Sequence, residues 1–120
     1  DAGVIEGLRE MSGGDNAAVA RIVALYCAHA PQSLKSIDAA FAARDREALA
    51  TAAHALKSMS ANIGAVAVAA AAQAVERACR LELRLPEAGA VEKIAPLVEA
   101  ACVEVKRLAD DGADAARRSA

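Results

Sequence analysis

Residues 46–64 read REALATAAHALKSMSANIG, and this stretch decides the fold. Leu49, Ala52, Leu56, Met59 and Ile63 recur at alternating spacings of three and four, the stripe of a helix that buries one face. Asp45, just before the stretch, has the short carboxylate side chain of an N-cap. Gly64 closes it, since the left-handed conformation that ends many helices costs glycine little.

The same periodicity continues on both sides. Upstream, Ala43-Arg44-Asp45 reads as a turn, and before it a stripe runs through Val19, Ile22, Val23, Tyr26, Ala30, Leu34, Ile37 and Phe41. Asp15 is the expected N-cap of that helix, and Pro31 is expected to kink it or divide it in two. A short amphipathic segment (Val4, Ile5, Leu8, Met11) comes first and is broken by Ser12-Gly13-Gly14. Downstream, a segment from about Ala65 to Arg84 aligns Val68, Ala72, Val75, Cys79 and Leu83, and Leu85-Pro86-Glu87 ends it. The last segment aligns Val91, Ile94, Val98, Ala101, Val105 and Leu108, with a bend expected at Pro96. Four long amphipathic helices joined by short turns predict an all-α fold: an antiparallel up-down four-helix bundle with a short additional N-terminal helix across one end. One domain is expected over 1–120, with the bundle at about 15–110 and a frayed tail from 111.

Composition narrows the function. A hydrophobic share of 56% rests largely on alanine, the best helix former, and Val and Ile are too scattered for strand runs. A net charge of −2 leaves no basic footprint for nucleic acid, and Tyr26 and Phe41 alone cannot build a base-stacking platform. The longest nearly apolar run, Ile63 to Ala72, falls well short of the roughly 20 residues of a membrane span, so a soluble chain is expected, in the cytoplasm by itself or as the cytoplasmic part of a membrane-anchored protein. Cys27, Cys79 and Cys102 are far apart and odd in number, which predicts small buried thiols rather than disulfides. Neither a cofactor nor a metal is expected: no Gly-rich phosphate loop is present, and the histidines and thiols show no paired ligand spacing. The first residue is not Met, and an excised or processed domain is expected from that.

Chemistry concentrates on one of the two histidines. At about 100° per residue His54 lies about 160° from Leu56 and about 140° from Leu49, facing away from the buried stripe. Ala50, Ser58 and Ala61 share its face and are small, which would leave the imidazole accessible to a partner. A histidine of ordinary basicity is a competent nucleophile near neutral pH, and Lys57, one turn on, could hold an anion against it. In an antiparallel hairpin folded at Gly64, His54 should meet the following helix near Ala74. Gln73 and Glu76 are the only polar side chains between Ala65 and Glu76, so either could bond one ring nitrogen and leave the other free.

The string from His54 through Lys57 and Ser58 to Gly64-Ala65 resembles the signature of histidine phosphotransfer (HPt) domains of two-component phosphorelays. The similarity runs from about Asp15 to Leu108. By that resemblance His54 is the phosphoacceptor, modified on Nε2; Lys57 steadies the phosphoryl group, and Gln73 or Glu76 bonds the other ring nitrogen. The resemblance also implies that a receiver-domain phospho-Asp is the donor and another receiver the acceptor, with Mg²⁺ on the receiver. This chain would then be a monomeric carrier without ATP-dependent kinase activity, standing alone or ending a hybrid sensor histidine kinase. Family members usually carry Gly directly after the Lys; here it is Ser58, the next smallest choice, and docking is expected to change somewhat. The main rival is a helical module that docks on receivers without transfer, and the intact His54 and Lys57 argue against it.

Overall fold

The computed structural model describes the backbone of residues 2–119 and the side chains of residues 2–111. Among the described residues six helices follow in order: α1 (Ala2–Met11), α2 (Asn16–Ala42), α3 (Arg46–Asn62), α4 (Val66–Arg80), α5 (Ala88–Glu92) and α6 (Ile94–Ser119). Helix α3 packs most extensively on α4 and also on α2; α2 and α4 both pack on α6, closing a four-helix ring. Helix α1 lies against α2 and α6, as expected of an added N-terminal helix. Among the described residues no helix is long and apolar enough to cross a membrane.

Local chemistry sets the helix ends. Asp15 accepts from the amides of Ala17 and Ala18, and Asp45 accepts from that of Ala48, so both expected caps are formed. The α3–α4 turn satisfies the last carbonyls of α3 through two bonds, Gly64 N–H to Ala61 (3.1 Å) and Ala65 N–H to Ser60 (2.8 Å). Gly64 takes φ +79° to make them. The α2–α3 turn uses the same pair of bonds, Arg44 to Phe41 and Asp45 to Ala40, with Arg44 in the left-handed position at φ +56°. The tightness of these turns brings α3 back against its neighbours in register.

Several expectations are revised. Helix α2 runs through Pro31 undivided; the ring is exposed, so water can replace the missing amide donor. The last segment is broken rather than bent, because the Pro96 ring excludes a helical carbonyl at position 92, and α5 ends there. Beyond that break, α6 stays helical to Ser119, through residues expected as tail. Helix α4 stops at Arg80, so Leu83 leaves the stripe, 65% exposed at φ +52°. Met11 and Ile22 are also exposed despite their spacing.

The core face of α3 is broader than the predicted stripe and turned toward α4. Leu49, Ala50, Ala53, Leu56 and Ser60 are buried, while Ala52 and Met59 are only partly covered. Leu49 and Leu56 are fully buried, each contributing roughly 2 kcal/mol. The buried Ser60 hydroxyl is 2.8 Å from the Tyr26 hydroxyl of α2, fastening the His54 helix to its neighbour. Burial raises the Tyr26 phenol, which therefore stays neutral. Tyr26→Phe should lower stability by about 1–2 kcal/mol, read as a lower midpoint in chemical denaturation, because Ser60 loses its partner in a dry site.

Candidate functional site

His54 sits near the middle of α3 on the side left open by the bundle, its side chain 51% exposed. The α3–α4 hairpin brings Glu76 opposite it. Nδ1 of His54 is 2.8 Å from Glu76 Oε2, and Lys57 Nζ donates to Glu76 Oε1 at 2.7 Å. Arg80, one turn further along α4, donates through Nη1 to the same Oε2. A single carboxylate thus receives an imidazole, an ammonium and a guanidinium.

The ionisation of Glu76 decides the state of the ring. Partial burial pushes its carboxyl up, but hydrogen bonds from Lys57 and His54, together with their charges, outweigh this and hold it below its ordinary value of 4.5. The carboxylate is therefore ionised at neutral pH and can only accept. Nδ1 must then carry the proton, and in the neutral ring Nε2 keeps its lone pair. Among the described residues Nε2 has no hydrogen-bond partner. The sign of the shift also makes the anchor stabilising above pH 4.5 and weaker as the pH falls through the carboxyl's lowered folded value.

The structure brings together three of the expected residues, His54, Lys57 and Glu76, and separates others. Gln73 is exposed and makes no bond to the ring. With His54 opposite Glu76, antiparallel register puts Gln73 one turn closer to Gly64, level with Lys57. Ser58 and Ala61 are exposed on the His54 face, as small neighbours there should be. Ala50 is not: it is 2% exposed. It sits at the floor of a cleft shared with Arg46 and Glu47 of α3 and Cys79 and Arg80 of α4, rather than standing open on the His54 face.

Arg80 was missed by the sequence reading as a member of this group. Its four-residue spacing from Glu76 on one helix was the available signal, since acid-then-base pairs at that distance meet on a helix surface. The remaining reactive side chains lie elsewhere. The three cysteines are free thiols, and burial, followed by the neighbouring Cys27 thiol, pushes Cys102 up to about 12, far from a thiolate at neutral pH. Among the described residues no group of three or more His, Cys, Asp or Glu side chains could hold a metal ion.

Comparison with curated proteins finds no match, and comparison with solved structures finds none. The model of one protein family does match: the Hpt domain, over residues 21–116, which takes in α3 and α4 entirely, most of α2 and α6, and the whole His54 cluster. By that match over most of its length, the chain belongs to the Hpt domain family of histidine phosphotransfer modules in two-component signalling.

Proposed function

We propose that this domain is a phosphorelay intermediate: Nε2 of His54 takes a phosphoryl group from the phospho-Asp of one receiver domain and delivers it to the Asp of another. Hpt domains interact with response-regulator receivers in general. The observation that supports the finer reading is the Nδ1–Glu76 bond, which in the neutral ring places the proton on Nδ1 and leaves the Nε2 lone pair free on a half-exposed side chain.

The step balances without any proton leaving the domain. The Nε2 lone pair forms the N–P bond while the P–O bond to the receiver Asp breaks, and that electron pair leaves with the carboxylate. The product ring is cationic, with its Nδ1 proton still shared with Glu76, so the phosphoryl group remains easy to pass on. Lys57 turns from Glu76 Oε1 to the phosphoryl oxygens, about one helical turn away on the same face. Ser58 and Ala61 give clearance for the receiver; Ala50, being buried, acts only by letting α4 approach. Mg²⁺ belongs to the receiver, and the domain acts as a monomer that positions the imidazole.

A two-stage relay tests this reading. The domain is loaded from a labelled phospho-receiver, separated from it, and mixed with a second, unlabelled receiver. The expected result is label on the domain and then on the second receiver. Tight binding without label would instead make this a docking module, and label that no receiver removes would make it an end point.

A further inference from the structure

We propose that Cys27 of α2 and Cys102 of α6 are a redox modification site: a small disulfide of the glutathione class oxidises the facing pair to an intramolecular bridge that staples the two longest helices together.

The placement follows from the register of two antiparallel helices. Ala20, Val23 and Ala24 of α2 meet Lys106, Ala109 and Asp110 of α6 across one cleft. One turn beyond Val23 on the same face is Cys27, and one turn before Lys106 is Cys102. The two thiols therefore arrive at one level of the seam, where they are in hydrogen-bonding contact. Both are half-buried against the core, so a small reagent can reach the seam. Cys79, 3% exposed on α4, is sealed from it. Tyr26, next to Cys27, lies close to both sulfurs: besides burial, it is they that raise its phenol.

Burial, followed by the Cys27 thiol, keeps the proton on Cys102 at neutral pH, so exchange begins at Cys27. The Cys27 thiolate attacks one sulfur of the small disulfide and forms a mixed disulfide. The first small thiolate leaves and takes up the proton that Cys27 gave up. Cys27 then no longer offers Cys102 a charge or a hydrogen bond, two of the causes that hold the Cys102 proton. Cys102 attacks the Cys27 sulfur, its proton goes to the second departing thiolate, and the bridge closes. Two protein thiols are oxidised, and one small disulfide is reduced to two thiols. The closed loop runs from α2 through α3, α4 and α5 into α6, so the unfolded chain loses much of its freedom. Tyr26 fastens α3 through Ser60, so the staple also steadies the helix that carries His54.

The test treats the folded, full chain with excess glutathione disulfide and reads intact mass, non-reduced peptide maps and thermal melting. Wild type should lose two hydrogens to a bridge between Cys27 and Cys102, with Cys79 still open to a maleimide after unfolding. Its thermal midpoint should rise by about 10 °C over the reduced protein and return with dithiothreitol. Cys102→Ser should stop at a glutathione adduct on Cys27, which shows the order of attack. A lasting adduct on wild type, a bridge to Cys79 or between two chains, an unchanged midpoint, or no loss of free thiols would overturn the inference.

Discussion

His54→Gln is expected to abolish phosphoryl acceptance completely while leaving the helical content and the unfolding transition nearly unchanged. Loss follows because the amide has no nitrogen lone pair able to attack phosphorus. The fold survives because the side chain is half exposed and makes one polar contact, to Glu76, whose carboxylate keeps Lys57 and Arg80 as partners. The measurement is label incorporation beside circular dichroism and thermal melting. Residual label on His54→Gln would place the acceptor elsewhere, and His29 would be the first alternative.

The second large effect concerns Glu76. Glu76→Leu should slow acceptance about 100-fold, since the ring loses both its orientation and the choice of tautomer. Glu76→Gln should retain acceptance within about tenfold, because its amide oxygen can still accept from Nδ1–H at nearly the same place. Neither change should unfold the bundle: Lys57 and Arg80 are both partly exposed and regain water. Single-turnover rates with a saturating phospho-receiver measure the difference. Equal rates for Glu76→Leu and wild type would show that the ring is held by something other than this carboxylate.

These expectations draw on features of unequal visibility in the sequence. The starts of α2 and α3 and the end of α3 were legible because their causes are local: Asp15 and Asp45 cap through their own side chains, and Gly64 takes a conformation that favours glycine. The outward face of His54 was legible because Leu49 and Leu56 leave little choice about which side of α3 is buried. Ala50 was not, since alanine suits either a surface or a close helix contact, and only the position of α4 decides between them. The choice of Glu76 over Gln73 needed the hairpin register to within one turn, finer than counting back from Gly64 provides. Ser60 lay outside the predicted stripe, and its burial follows from the Tyr26 hydroxyl that meets it across the interface. Pro96 announced a disturbance in the last segment, but periodicity continued through it and so favoured a bend over the break that separates α5 from α6.

The most direct test of the account is the atom that carries the phosphorus. Wild-type domain with ¹⁵N-labelled histidine, loaded from a phospho-receiver, can be read by ³¹P and ¹⁵N NMR. A phosphorus resonance coupled to Nε2 of His54, with Nδ1 protonated, is the predicted result. Phosphorus on Nδ1, on His29 or on a carboxylate would contradict it.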